Sequence, residues 1–165
     1  MHGELNRGVE DDGIKHKMSH TYTNHLYHIV FSTRERLPSI EIENKAELHA
    51  YISGLAKEKG GKVLIINSMP DHVHILTALP PDVSVSDVMK FVKANSSRWM
   101  KQRFGKPFAW QKGFGSFTVS RSGVDAVAKY IRDQEIHHQK MDYRDEFVSF
   151  LKKNEVEFED EYLWK

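Results

Sequence analysis

The apolar positions change period several times along the chain, and each change marks an element. HLYHIVFST (25–33) is a run of β-branched and aromatic residues, which predicts a strand. In EIENKAELHAYISGLAKEKGG, Leu48, Tyr51, Ile52 and Leu55 recur at helical spacing until Gly60 stops the pattern. KVLIINS (62–68) and HVHILTAL (72–79) return to strand character. Only Met69, Pro70 and Asp71 separate them, so they are expected to pair as a hairpin. PPDVSVSD reads as a loop with Ser84 or Ser86 as N-cap. The helix it opens runs to about Phe104, with Val88, Val92 and Trp99 turned to the core. GSFTVS (115–120) predicts a fourth strand. A third helix is expected from near Gly123 to about Lys140, with Val124, Val127, Ala128 and Ile131 as its core stripe, and a short fourth around DEFVSFLKK. Residues 1–17 are polar and aperiodic and read as part of a disordered leader (1–20), with Met18 a candidate start. Residues 21–165 then form a single domain.

The order β-α-β-β-α-β followed by helices is that of the split βαβ, ferredoxin-like class. The expected architecture is α+β, with an antiparallel sheet covered by helices on one face. Such a fold hosts many functions and selects none.

Composition narrows the field. The chain of 165 residues suits one core, and 39% hydrophobic with 28% charged residues is ordinary for a globular domain. It has no cysteine, so disulfides and thiolate zinc sites are excluded. No apolar run approaches the roughly 20 residues of a membrane span, so the expectation is a cytoplasmic protein without membrane contact. The net charge of +1 hides segregation. Lys90, Lys93, Arg98, Lys101, Arg103, Lys106, Lys112 and Arg121 fall in a stretch, 88–121, without any acid. Phe91, Trp99, Phe104, Phe108 and Trp110 are interleaved with them. That mixture suits a nucleic-acid surface, and equally a solvated helix face whose aromatics are core.

The candidate chemistry begins at His72 and His74. Alternation along a strand puts both imidazoles and Leu76 on one face, so they can converge on one ion. Taken alone, His-x-His is weak evidence. A nucleotide-binding histidine triad would need a third histidine where Leu76 stands. Two-histidine phosphoesterases would need two His-x-Thr/Ser repeats, and the amidohydrolase barrel is about 250 residues. The third helix supplies possible partners. Tyr130, Gln134 and His137 lie at i, i+4 and i+7, a second stripe beside the apolar one.

With these residues together, the chain resembles the HUH endonuclease superfamily and, within it, the single-tyrosine transposases. These are small insertion-sequence enzymes that move as single-stranded DNA, together with the REP-associated tyrosine transposases. His72-Val73-His74 matches the His-hydrophobe-His motif, and YIRDQEIHH looks like the nucleophile helix. YHIVFSTRER, MPDHVHIL, AWQKGFGSFTVS and the closing YLW extend the likeness from about Thr21 to Trp164. The resemblance implies a metal-dependent transposase that cuts and rejoins single-stranded DNA at hairpin-flanked ends through a 5′-phosphotyrosine. It implies His72, His74 and the Gln134 amide oxygen as metal ligands and Tyr130 as nucleophile. Mg²⁺ or Mn²⁺ is the implied ion, although imidazole chemistry alone also allows Zn, Co or Ni. DNA hairpins are the implied partner, gripped by Lys90, Lys93, Arg98, Lys101 and Arg103. A homodimer is implied too, its sites commonly shared between subunits. His137 and His138 fit the local pattern but receive no catalytic role; packing and phosphate contact both stay open. The competing readings are a domesticated endonuclease that cuts repeat hairpins, a non-catalytic hairpin-binding regulator, and a small-molecule metal sensor.

Overall fold

The structure, a computed structural model, describes residues 21–164; the leader expected over 1–20 lies outside the described residues. Strand β1 (His25–Ser32) leads through a 3₁₀ turn at Arg34–Arg36 to helix α1 (Lys45–Glu58). Strands β2 (Lys62–Met69) and β3 (His72–Leu79) form the expected hairpin, and α2 (Val85–Phe104) follows. After β4 (Gly115–Thr118) come α3 (Val124–Arg132), α4 (Gln134–His137), α5 (Tyr143–Lys153) and α6 (Asp160–Leu163). The sheet order is β2-β3-β1-β4 with every neighbouring pair antiparallel, the arrangement of the split βαβ class. No helix among the described residues is long and apolar enough to cross a membrane.

Local chemistry sets the element ends. Ser84 is the N-cap of α2, its hydroxyl accepting from the Asp87 N–H at 3.0 Å. Gly105 ends that helix at φ +65°, a conformation that costs a glycine little.

Helices cover both faces of the sheet, where one was expected. On the first face Ile29, Phe31, Val73 and Ile75 meet Leu48 and Ile52 of α1 and Val88, Met89 and Val92 of α2. Each fully buried side chain of this kind contributes about 1.5–3 kcal/mol. Phe108 and Trp110 are buried in the same core, while Phe91, Trp99 and Phe104 are half-buried against it. The Trp110 indole N–H donates to the Ser96 hydroxyl at 2.9 Å, so this ring is a core element and not a platform for bases.

The second face carries the C-terminal helices. Leu26 and Leu76 pack on Val124 and Ile131 of α3, and Val30 and Phe117 on Tyr143, Phe147 and Leu151 of α5. Because β1 and β3 are central and covered on both sides, nearly all their residues are buried, which erases the apolar–polar alternation of a one-sided sheet. The third helix is also shorter than its periodicity predicts. It is interrupted at Asp133 (φ −90°, ψ 18°), and the Asn67 side-chain amide donates to the carbonyls of Ile131 at 2.8 Å and Arg132 at 3.3 Å. An amide of β2 thus satisfies the freed end of α3.

Candidate active site and metal centre

His72 and His74 project from β3 onto the second face and are fully buried. Their ring Nδ1 atoms are both engaged away from the site. His72 Nδ1 lies 2.6 Å from Asp71 Oδ1, and His74 Nδ1 lies 2.9 Å from His28 Nε2. An Nδ1–H held in this way leaves Nε2 as the atom each ring offers inward. Burial, with the neighbouring His74, lowers the pKa of His28 to about 3, so His28 is neutral and can accept that proton.

Glu146 comes up from α5 to meet them. Its Oε2 lies 3.4 Å from His72 Nε2, 3.3 Å from His74 Nε2 and 2.9 Å from His138 Nε2. Its Oε1 accepts from the Tyr130 hydroxyl and, at 3.2 Å, from Gln134 Nε2. One carboxylate therefore faces three imidazoles with one oxygen and the phenol with the other. Gln134 is fully buried, its Oε1 lying 3.5 Å from His72 Nε2 and 3.0 Å from His138 Nε2. Tyr130 is half-buried, with the exposed His137 ring stacked on it at 4.5 Å.

Charge in the cluster is unevenly shared. Burial disfavours ionised Glu146, but its contacts with the His138, His72 and His74 rings win and hold its carboxyl far below the usual range. Burial also works against a charged His72, yet its bonds to Asp71 and Glu146 hold its pKa above the ordinary value. His74, deeper and beside like-charged rings, is lowered. Burial, the bond to Glu146 and the Glu146 charge all push the Tyr130 phenol up. The cluster is thus an ionised carboxylate seeking positive charge, beside a phenol held protonated.

These residues fit a divalent cation. One ligand atom from each of His72, His74, His138 and Glu146 falls within a 4.8 Å span. Three imidazoles and a carboxylate, with the Gln134 amide oxygen at the edge, are donors that borderline and hard metals accept.

The structure brings Tyr130, Gln134, His72 and His74 together within one chain, although α3 stops before Gln134. It adds Glu146 and His138. Glu146 was missed because a glutamate in a charged tail reads as solvated. Its spacing held the signal: Tyr143, Glu146, Phe147, Phe150 and Leu151 lie at i, i+3, i+4, i+7 and i+8, so the acid stands on the apolar stripe of α5.

The cations singled out on α2 lie behind the opposite face of the sheet. Lys90, Arg98 and Lys101 are exposed and have no ion pair among the described residues. Arg103 pairs with Glu47 at 3.0 Å. The Lys93 ammonium donates to the carbonyls of Gln111 and Gly113, and burial lowers its pKa to about 8.

Comparison with known proteins supplies an independent view. A family model described as IS200-like transposase matches residues 21–134, a span that includes His72, His74, Tyr130 and Gln134 and stops short of His138 and Glu146. The transposase for insertion sequence element IS200 of Salmonella typhimurium is 28% identical over 130 residues, covering 74% of this chain and 84% of that protein. The ISDra2 transposase of Deinococcus radiodurans is 27% identical over 115 residues, covering 66% and 82% respectively. Among solved structures, a candidate transposase of Deinococcus radiodurans superposes with a TM-score of 0.59 at 25% identity, covering 72% of this chain and 96% of that one. A REP-associated tyrosine transposase bound to a REP hairpin shares the fold, with a TM-score of 0.56 at 16% identity, covering 73% and 72%.

Proposed function

The chain belongs to the family of IS200-like transposases, and on that premise we propose that it cuts and rejoins single-stranded DNA at hairpin-flanked ends with Tyr130 as nucleophile. The observation that carries this reading is the position of the Tyr130 hydroxyl, on the same carboxylate that faces the His72, His74 and His138 rings.

His72, His74 and Glu146 would hold the ion, with His138 and Gln134 beside them; Mg²⁺ or Mn²⁺ is the proposed metal. Bound there, it would neutralise a non-bridging phosphate oxygen and orient the phosphorus for in-line attack. The rest of the chemistry belongs to the chain. Tyr130 Oη forms the new bond to phosphorus, oriented by Glu146 Oε1, which accepts its hydrogen bond, and its proton passes to solvent. The bond from phosphorus to the 3′ oxygen of the other fragment breaks, and that oxygen takes a proton from solvent and leaves as a hydroxyl. One phosphodiester is exchanged for a phosphotyrosyl ester, so a 3′ hydroxyl can reverse the reaction without ATP. Asp71 and His28 fix the rings.

A hairpin partner is part of the proposal, supported by the hairpin bound to the structural relative. Lys90, Arg98 and Lys101 remain the better candidates for its phosphates, while Lys93 and Arg103 would have to leave their partners. DNA held there must pass around the sheet edge to reach Tyr130. Exchange between two ends gives a homodimer a mechanistic reason.

The test is incubation of the protein with labelled single-stranded hairpin DNA and Mn²⁺ or Mg²⁺, followed by denaturing electrophoresis. A covalent protein–DNA band is expected, lost in Tyr130→Phe and in His72→Ala, while His72→Ala still binds the hairpin. An equal covalent yield in Tyr130→Phe would remove the tyrosine from its role.

A further inference from the structure

Beside the reacting groups the surface opens into a cavity of about 620 Å³, floored by β1 and walled by α3, α4 and α5. Tyr130 and Glu146 are part of its wall, so it begins at the nucleophile. Its size falls in the range of small-molecule pockets, about 300–1,000 Å³. It is mostly apolar and aromatic. The Tyr130 and His137 rings stack at 4.5 Å, and Phe150 stands edge-on to Tyr130 at 5.5 Å. Ile136 and Met141 line it while 59% and 44% exposed, which is costly for side chains with nothing against them. Lys140 and Lys153 also line it, both exposed and neither in an ion pair among the described residues. Aromatic faces between unpaired cations match a nucleobase carried on a phosphodiester chain.

We propose that this cavity binds the base of the nucleotide whose 5′ phosphate Tyr130 takes over, and so reads the first position after the cut. The inference rests on the phosphotyrosine reading above. In-line displacement sets the side. The leaving 3′ oxygen stands opposite Tyr130 Oη across the phosphorus, so the nucleotide before the cut is directed away from this pocket. The nucleotide after the cut hangs from a lateral oxygen and stays attached to Tyr130, within reach of the His137 and Phe150 rings. Lys140 and Lys153 then meet the phosphates that follow. The one buried charge of the lining, Glu146, stands at the nucleophile end against the histidine rings, and away from it the Ser149 hydroxyl offers a polar contact for the edge of the base.

The experiment uses a hairpin strand on which the covalent adduct has been mapped, with an abasic residue placed either just after or just before the cut. Affinity for Tyr130→Phe protein and adduct yield with native protein are both measured. Loss of the base after the cut is expected to weaken binding about tenfold, the scale of one stacked base, with little change for the base before it. Ser149→Trp, a filling substitution at an exposed position, should impair the normal strand and leave the strand abasic after the cut unaffected. Lys140→Ala with Lys153→Ala should lower the salt slope by about 1.4, at roughly 0.7 per phosphate of a single strand. Indifference to the abasic position, with the adduct still forming, overturns the pocket alone. If Ser149→Trp instead shifts the protein's oligomeric state, the apolar rim is a subunit interface and the proposal falls. Absence of adduct with every hairpin defeats the proposed function itself, and this inference with it.

Discussion

At the scale of single residues, Glu146 divides its two oxygens between three imidazoles and the phenol. Glu146→Gln keeps the shape and removes the charge, so Mn²⁺ affinity measured by calorimetry is expected to fall at least tenfold. Asp71 acts one step out. It holds His72 Nδ1 at 2.6 Å, and outer partners of this kind are worth about 10–100-fold in metal affinity. Asp71→Asn should therefore weaken Mn²⁺ binding within that range and leave the circular dichroism spectrum unchanged. Unaltered affinity would mean that the carboxylate does not orient the ring. That His72 shares a face with His74, and Tyr130 with Gln134, was legible from strand and helix spacings, while the roles proposed for them came from the family resemblance. The approach of Glu146 and His138 to them was not, since it depends on how α5 and the turn before it fold back over the sheet, and no local period encodes that return.

At the scale of elements, the site exists because α3 and α5 reach the second face of the sheet. Gly115 lets α5 approach. A Cβ there would stand 2.6 Å from Phe147 Cε2, the residue next to Glu146. Gly115→Ala is expected to cost about 1–3 kcal/mol in urea unfolding, as overpacking does, and to reduce Mn²⁺ affinity by shifting Glu146. A stability and affinity equal to the native protein's would show that β4 and α5 are not tightly coupled. The β-α-β-β-α-β order and the hairpin were legible from period changes. The break at Asp133 was not, because it depends on a tertiary amide from Asn67 and the apolar stripe runs past it. Coverage of both faces was hidden for a related reason: a helix stripe shows that a helix packs but not on which side of the sheet.

At the scale of the whole molecule, burial of histidines on both sides of the sheet couples stability to pH. Burial lowers His28 to about 3 and His49 to about 4, and His74 shifts the same way. The fold favours their neutral forms, so below about pH 6.5 the unfolded chain binds more protons. Their contribution is complete above that value and is lost as pH falls. His72, whose pKa is raised, has the opposite sign: its contribution is present below the unfolded value and is lost as pH rises through its folded one. The depressed histidines outnumber it. Between pH 7 and pH 5 the metal-free protein should lose on the order of 2 kcal/mol through His28 alone, because each pH step of one below the unfolded value costs about 1.4 kcal/mol. A urea midpoint that does not fall over that range would contradict the burial described.

The central claim is that Tyr130 becomes joined to DNA. The direct measurement is mass spectrometry of peptides from protein trapped on single-stranded hairpin DNA with Mn²⁺ and then digested by protease and nuclease. A 5′-phosphonucleotide is expected on the peptide containing Tyr130, with the modification placed on that tyrosine by fragmentation. A nucleotide found on another residue, or strand cleavage with no protein-linked product, would contradict it.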